Sequence, residues 1–140
     1  MSYLDTSVLV AALTREERTE EMQHWLVQQP PEELVVSDWT ITEFSAALAM
    51  KVRMRQLDEA ARADVLNVFT AIIAESMTVL SVTRADFSTA AHLANQYGLG
   101  LRAGDALHLG IASRTGQPVI SLDRTLVKAA LAAGIAARLP

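Results

Sequence analysis

The apolar residues of this chain follow two alternating patterns, short continuous runs and longer stretches with helical spacing. Continuous apolar runs of this length are typical of strands that are buried on both faces. They predict strands over Ser2–Leu4, Leu34–Ser37, Thr78–Val82 and Pro118–Leu122, with a last edge strand over Ile135–Arg138. The helical spacing predicts helices over Thr6–Leu13, Glu16–Gln28, Thr40–Arg53, Asp58–Ala74, Asp86–Tyr97, Arg102–Thr115 and Arg124–Ala133.

This alternation of short strands and longer helices is typical of α/β proteins. Strands with continuous apolar runs belong in a parallel sheet, because helices cover both faces of such a sheet. We therefore predict a three-layer αβα sandwich with a central, mainly parallel sheet of four to five short strands. The sequence has no repeat, no low-complexity segment and no long linker, so residues 1–140 are expected to form a single domain.

The composition excludes several classes of protein. With 51% hydrophobic and 20% charged residues, the chain is neither disordered nor fibrous. It contains no cysteine, which excludes disulfides, thiol nucleophiles and cysteine zinc sites. No apolar run approaches the roughly 18 residues that span a bilayer, and the N-terminus lacks the basic start of a signal peptide. We expect a cytoplasmic protein with no membrane partner. The net charge of −4 argues against a broad nucleic-acid-binding surface, which is usually basic.

Four acidic residues are predicted to converge at one edge of the sheet. Asp5 and Asp123 directly follow predicted strands, and the carboxyl ends of parallel strands share one edge. Glu43 lies in the first predicted turn of the helix that follows the second strand, which places it at the same edge. Asp105 lies in the first turn of a very apolar helix, where a charged side chain needs a polar pocket or a cation.

Taken one at a time, three of these acids also fit helix caps. Asp5 and Asp123 each precede a predicted helix, and Thr40 and Glu43 have the spacing of a capping box. Taken together, the four acids favour a metal site. Two carboxylates about 4 Å apart repel each other by roughly 4 kcal/mol at an effective dielectric constant of about 20, so such a cluster requires a divalent cation or raised pKa values. An all-oxygen site suits Mg²⁺ or Mn²⁺, as one ion or two, and such sites serve phosphodiester hydrolysis.

Four segments together carry a resemblance to a known family. They are Tyr3-Leu4-Asp5-Thr6-Ser7, the Thr-x-x-Glu that ends at Glu43, the run Leu101–Leu109 around Asp105, and Val119-Ile120-Ser121-Leu122-Asp123. In order, spacing and predicted context they resemble the PIN-domain ribonucleases, and in particular the VapC toxins of toxin–antitoxin pairs. The resemblance spans nearly the whole chain. The family often has Thr where Ser121 stands, which is a conservative departure.

The resemblance implies a function and a set of roles. Asp5, Glu43, Asp105 and Asp123 would be the catalytic acids that bind Mg²⁺, and Ser7 and Ser121 would orient carboxylates through their hydroxyls. The protein would be a Mg²⁺-dependent endoribonuclease toxin that leaves a 5′-phosphate and a 3′-hydroxyl, with Mn²⁺ as a substitute ion. Its partners would be the RNA substrate and a cognate antitoxin, and it would form a homodimer or a toxin–antitoxin hetero-oligomer.

Several other residues have both a functional and a structural interpretation. His108, one turn after Asp105, could extend the metal site, but we favour a partly buried histidine packed among leucines. Arg102 could contact an RNA phosphate or pair with an acid. Trp39 could stack on a base, although core or rim packing is favoured. Lys51, Arg53 and Arg55 form a small basic cluster that could hold an RNA backbone, but a solvated helix end is favoured.

Two other function classes fit part of the pattern. A receiver-type phospho-acceptor domain has a parallel sheet, clustered acids and Mg²⁺, but it needs a lysine at a strand end, and the two lysines here fall at helix positions. A haloacid-dehalogenase phosphatase needs a second Asp where this chain has Ser7. A catalytically silent PIN-fold binding module stays open, although the complete acid set argues against it.

Overall fold

Five short parallel strands form a single sheet at the centre of the molecule, in a computed structural model that describes residues 1–140. The strands are β1 (Ser2–Leu4), β2 (Leu34–Ser37), β3 (Thr78–Leu80), β4 (Val119–Ile120) and β5 (Ala137–Arg138). The helices are α1 (Thr6–Leu13), α2 (Thr19–Val27), α3 (Asp38–Arg53), α4 (Glu59–Ser76), α5 (Arg84–Asn95), α6 (Ala103–Thr115) and α7 (Arg124–Ala132). Single 3₁₀ turns precede β2 at Pro31–Glu33 and follow α5 at Tyr97–Leu99.

The sheet has the order β3-β2-β1-β4-β5, and every neighbouring pair is parallel. The first strand of the chain therefore lies in the middle, where Tyr3 pairs with Val35 on one side and Val119 on the other. Because all the strands run the same way, their carboxyl ends share one edge of the sheet. The predicted α/β fold with a parallel central sheet is confirmed.

Two apolar clusters cover the two faces of the sheet and make the three layers. Alternate residues of a strand point to opposite faces, and neighbouring strand residues accordingly belong to different clusters. The first cluster contains Leu4, Val36 and Ile120 and packs against α1 to α4. The second contains Tyr3, Val35 and Val119 and packs against α5, α6 and α7. On the first face Phe44 and Phe69 stack with ring centroids 3.9 Å apart, which joins α3 to α4.

Several element boundaries differ from the predicted ones. Helix α3 begins at Asp38 rather than Thr40, because the Ser37 hydroxyl accepts the N–H of Thr40 and the Thr40 hydroxyl accepts the N–H of Ser37. The capping box thus uses Ser37 and Thr40, and the predicted box of Thr40 and Glu43 is wrong. Helix α2 begins at Thr19 rather than Glu16, since the Thr19 hydroxyl accepts the N–H of Glu16 and closes a turn before the helix.

Helix α6 is fixed against α5 by close contact and by an ion pair whose carboxylate is buried. A Cβ atom added to Gly110 would lie 2.6 Å from the carbonyl oxygen of Asp86, so the two helices approach as closely as glycine allows. The Asp86 side chain is fully buried and accepts from Nε of Arg114 at 2.6 Å and from Nη2 at 3.0 Å. These contacts set the position of α6, which carries Asp105 and His108 to the carboxyl edge of the sheet. No helix of the protein has the length and apolar character needed to cross a bilayer.

Candidate metal centre at the carboxyl edge of the sheet

A cleft of about 600 Å³ opens at the carboxyl edge of the sheet, and all four acids line it. Asp5 comes directly after β1, Glu43 lies in the second turn of α3, Asp105 lies in the first turn of α6, and Asp123 comes directly before α7. Thr6, Ser7 and Arg53 line the same cleft. The structure thus brings together four residues that the sequence separates by up to 118 positions.

Asp5 is buried and held by two serine hydroxyls. Its Oδ2 atom accepts hydrogen bonds from Ser7 Oγ at 2.6 Å and from Ser121 Oγ at 2.7 Å. These are the two hydroxyls to which the family resemblance assigns carboxylate orientation. Asp5 occupies the cap position of α1 but its side chain makes no capping hydrogen bond, so the helix-cap interpretation is wrong for this residue.

Glu43 is held from one side by a hydroxyl and by an imidazole. Its Oε2 atom accepts from Thr6 Oγ1 at 2.7 Å and lies 2.5 Å from Nε2 of His108. Burial raises the pKa of Glu43, but the hydrogen bond and charge of His108 and the hydrogen bond of Thr6 outweigh it, and the net pKa is lowered. With Oε2 taken by two partners, Oε1 is the oxygen of Glu43 that these contacts leave free.

Asp105 and Asp123 are held by backbone N–H groups at helix starts. Asp105 Oδ2 accepts from the Arg102 N–H at 3.3 Å, and Asp123 Oδ1 accepts from the N–H groups of Thr125 at 2.8 Å and Leu126 at 3.2 Å. The cap interpretation therefore holds for Asp123, which caps α7 and also lines the cleft.

The acids in the cleft affect one another electrostatically. Burial raises the pKa of Asp105, and the negative charges of Asp5, Asp123 and Glu43 raise it further, while the N–H of Arg102 lowers it. The net pKa is above the ordinary value of 3.8. The neighbouring acids thus add to the effect of burial on the pKa of Asp105, as expected where carboxylates are gathered in one site.

His108 contacts polar groups, which the favoured interpretation of the sequence did not include. The sequence favoured a partly buried ring packed among apolar side chains, but the ring is fully buried and contacts Glu43, Asp5 and Tyr3. The signal was the Asp-x-x-His spacing, which sets His108 one helical turn after Asp105. Tyr3 was visible only as part of the motif that ends at Asp5, and Thr6 as the residue after it.

The basic and aromatic candidate residues lie in different environments, and only one of the basic residues lines the cleft. Arg102 is exposed at the start of α6, whereas Arg53 lines the cleft. Lys51 forms an ion pair with Glu16 at 2.8 Å. Trp39 packs against the second apolar cluster beside Gly104, whose Cβ atom, if present, would lie 3.2 Å from the indole and 2.8 Å from Glu43 Oε1.

The donor set of the cleft fits a hard divalent cation. Four carboxylates line it, no cysteine is available, and one of the carboxylates has a pKa raised by burial and by the other acids. Carboxylate oxygens are the ligands that Mg²⁺ and Mn²⁺ prefer. The closest potential ligand atoms belong to Asp5, Glu43 and His108 and lie within 4.8 Å of one another.

A family model decides the identity of the domain: the model of the PIN domain matches residues 2–131 of this chain. The chain belongs to the PIN-domain family. No curated protein matches this PIN domain in sequence.

Solved structures share the fold of this PIN domain. Mycobacterium tuberculosis VapC20, a Sarcin-Ricin loop cleaving toxin, superposes with a TM-score of 0.74 at 17% identity and with 96% of each chain covered. FitAcB from Neisseria gonorrhoeae gives a TM-score of 0.71 at 21% identity, covering 98% of this chain and 96% of that chain. DNA-bound VapBC from Salmonella typhimurium gives 0.69 at 15% identity, covering 99% and 98%. The likeness extends over essentially the whole chain and establishes the three-layer fold.

Proposed function

We propose that this PIN domain is a Mg²⁺-dependent endoribonuclease of the VapC toxin type, acting in the cytoplasm and neutralised by a cognate antitoxin. One observation carries the proposal: four carboxylates line a single cleft at the carboxyl edge of the parallel sheet. Mutual repulsion makes such a cluster costly unless a cation binds there. The like-charge contribution to the raised pKa of Asp105 supports this.

Asp5, Glu43, Asp105 and Asp123 would hold the ion. A bound divalent cation supplies an acidified water and neutralises charge on the phosphate. The chain's own contribution is orientation. Ser7 and Ser121 fix Asp5 through Oδ2, and Thr6 and His108 fix Glu43 through Oε2, so that each carboxylate presents a defined remaining oxygen.

RNA is the proposed substrate. VapC20, whose fold is similar, cleaves the Sarcin-Ricin loop. In an acidic cleft an RNA backbone needs a local cation, and Arg53 in the cleft lining is placed to contact a phosphate. Arg102, exposed at the start of the helix that carries Asp105, is a second candidate for such a contact.

An antitoxin is the proposed protein partner. Solved structures with this fold include the VapBC complex of Salmonella typhimurium and the toxin–antitoxin complex from Klebsiella pneumoniae. A groove of about 790 Å³ runs between α1, α2 and the α3–α4 region, and it adjoins the cleft through the ion pair of Lys51 and Glu16. We propose that an antitoxin segment binds there and occludes the cleft, and that the toxin forms a homodimer or a hetero-oligomer with it.

Cleavage of RNA by the purified protein tests the proposal. We expect cleavage with Mg²⁺ or Mn²⁺, none with EDTA, and recovery when Mg²⁺ is restored. Undiminished cleavage in EDTA would exclude the metal mechanism. Antitoxin binding without cleavage under any cation would identify a silent binding module instead. Full cleavage in the presence of saturating antitoxin would contradict occlusion of the cleft.

A further inference from the structure

A buried imidazole lies directly behind two of the four carboxylates. His108 is 0% exposed, and its Nε2 atom lies 2.5 Å from Glu43 Oε2 and 3.3 Å from Asp5 Oδ1. On the far side of the ring, Nδ1 lies 2.6 Å from the hydroxyl oxygen of Tyr3, which is also fully buried. One side chain thus contacts both acids and a third group that faces away from the cleft.

The contacts fix which ring nitrogen carries hydrogen toward the acids. A carboxylate accepts hydrogen bonds and donates none, so the hydrogen between His108 and Glu43 belongs to Nε2 in either charge state of the ring. In the neutral ring Nδ1 is then an acceptor, and the Tyr3 hydroxyl donates to it. Burial raises the pKa of Tyr3, which keeps this hydroxyl protonated.

The network continues from Tyr3 to the start of the helix that carries Glu43. The Tyr3 hydroxyl lies 2.8 Å from Oγ of Ser37, the residue that caps α3 through Thr40. A hydroxyl has a single hydrogen, so when Tyr3 donates to His108, Ser37 donates to Tyr3. The orientation of the imidazole is thereby tied to β1, to α3 and to α6 at once.

We infer that His108 is a positioning residue, held by Tyr3 with its hydrogen on Nε2, that orients the carboxylate of Glu43 for a divalent cation and packs against the carboxylate of Asp5. The inference rests on the proposed nuclease function and adds a role that is distinct from metal ligation. A nitrogen that carries hydrogen has no lone pair for a cation.

Binding of Mn²⁺ to the full-length protein tests the role without reference to RNA cleavage. We expect His108→Leu to weaken Mn²⁺ binding by about 10- to 100-fold, the usual cost of losing a partner behind a metal ligand. His108→Gln keeps an N–H near the Nε2 position and is expected to recover most of that loss. His92→Leu, at an exposed position on α5, is the matched control and is expected to bind like the wild type.

The position of the hydrogen on the His108 ring is a second readout, and a purely structural role of His108 would leave it unchanged. The chain has only three histidines, so ¹⁵N NMR can resolve the His108 ring, which we expect to carry its hydrogen on Nε2. Tyr3→Phe removes the donor at Nδ1, so we expect it to shift the ¹⁵N resonance of Nδ1, to loosen the orientation of the ring and to weaken Mn²⁺ binding about tenfold. Tyr97→Phe, at a residue that is 96% exposed, is the control. If His108→Leu does not fold, this pair carries the test.

The outcomes separate the positioning role from the proposed function. Equal Mn²⁺ affinity in the wild type, His108→Leu and Tyr3→Phe would overturn the positioning role and leave the nuclease proposal standing. Nitrogen coupling to Mn²⁺ in electron paramagnetic resonance would also overturn it, because His108 would then be a ligand. A wild type that binds no Mn²⁺ would overturn the nuclease proposal, and the positioning role with it.

Discussion

The four acids of the cleft form two pairs that are held in different ways. Asp5, which is buried, and Glu43, which is half-buried, are here called the buried pair. They accept hydrogen bonds from side chains, namely two serine hydroxyls, a threonine hydroxyl and an imidazole. Asp105 and Asp123, the capped pair, accept hydrogen bonds from backbone N–H groups at the starts of α6 and α7. A helix start can hold a carboxylate whatever the neighbouring side chains are, whereas the buried pair depends on particular residues.

Because of this difference, the two pairs are expected to respond differently to mutation. Removing one donor behind the buried pair leaves a buried oxygen or hydroxyl without its partner, which costs about 1–3 kcal/mol. The capped pair keeps its backbone donors through any substitution that preserves the helix. The two pairs also differ in electrostatics, since the pKa of Glu43 is lowered by its partners and that of Asp105 is raised by burial and by neighbouring acids.

The largest expected effects come from Asp→Asn changes in each pair. Asp5→Asn and Asp123→Asn are both expected to reduce RNA cleavage strongly. The expected reduction exceeds the roughly 10- to 100-fold loss that follows when a residue that only orients a metal ligand is removed. Their stabilities are expected to differ. Asn caps helices about as well as Asp, so Asp123→Asn changes the free energy of unfolding by less than about 0.5 kcal/mol. Asp5→Asn disturbs two buried hydroxyl contacts and costs about 1–3 kcal/mol.

Cleavage rates and denaturant unfolding of these two variants in EDTA give the comparison. If Asp123→Asn retains full cleavage, Asp123 is only a helix cap and the four-carboxylate site is wrong. If both variants lose the same stability, the distinction between the pairs fails.

A methyl group beside the buried pair is expected to have the next largest effect. Gly104→Ala puts a Cβ atom 2.8 Å from Glu43 Oε1 and 3.2 Å from Trp39. Glu43 cannot simply move aside, because Thr6 and His108 hold its other oxygen. We expect cleavage to fall by about 10- to 100-fold. Gly98→Ala is the matched control, since a Cβ there meets nothing within 4 Å, and equal rates for the two variants would contradict the prediction.

Removing one serine behind Asp5 is expected to have a smaller effect. Ser7→Ala or Ser121→Ala each deletes one of the two hydrogen bonds to Asp5 Oδ2 and is expected to weaken Mg²⁺ binding about tenfold. The two hydroxyls share an acceptor, so the double variant is expected to be non-additive. Calorimetric titration with Mg²⁺ measures this. Unchanged affinity in both single variants would show that these hydroxyls do not orient Asp5 for metal.

The smallest expected effect is a change in the pH dependence of stability without metal. Ionised Asp105 destabilises the folded protein, and this penalty appears as the pH rises above its ordinary pKa of 3.8 and grows until the raised folded pKa is passed. Asp105→Asn is therefore expected to melt a few degrees above the wild type at neutral pH in EDTA, and not at lower pH. Glu43→Gln is expected to do the opposite, because the lowered pKa of Glu43 stabilises the folded state above its ordinary value of 4.5.

Melting curves in EDTA between about pH 3 and pH 8 measure both variants. Adding Mg²⁺ is expected to raise the melting temperature of the wild type more than that of Asp105→Asn, since a ligand stabilises the folded state by RT ln(1 + [L]/Kd) and the variant is expected to bind Mg²⁺ more weakly. Equal shifts on adding Mg²⁺ would show that Asp105 does not contribute to binding.

The two pairs also differ in how far the sequence predicted them. Strand ends and helix starts follow from local apolar patterns, so the positions of Asp105 and Asp123 relative to the sheet were predictable, including the cap at α7. The partners of the buried pair come from residues far apart, such as Ser121 with Asp5 and His108 with Tyr3, and no local pattern encodes these contacts. The capping box of α3 was misplaced by three residues because Thr40-x-x-Glu43 fits the usual Ser/Thr-x-x-Glu pattern, whereas the box in the structure has Thr40 in place of the Glu.

The central position of β1 has a consequence for how the protein is made. The chain is synthesised from its N-terminus, yet β1 pairs with β4, and Asp5 accepts a hydrogen bond from a serine 116 residues later. The cleft therefore cannot be assembled until the segment that carries β4 and Ser121 has left the ribosome. A protein that cuts RNA would, by this arrangement of strands, remain harmless to the messenger and the ribosome that produce it until that segment has emerged.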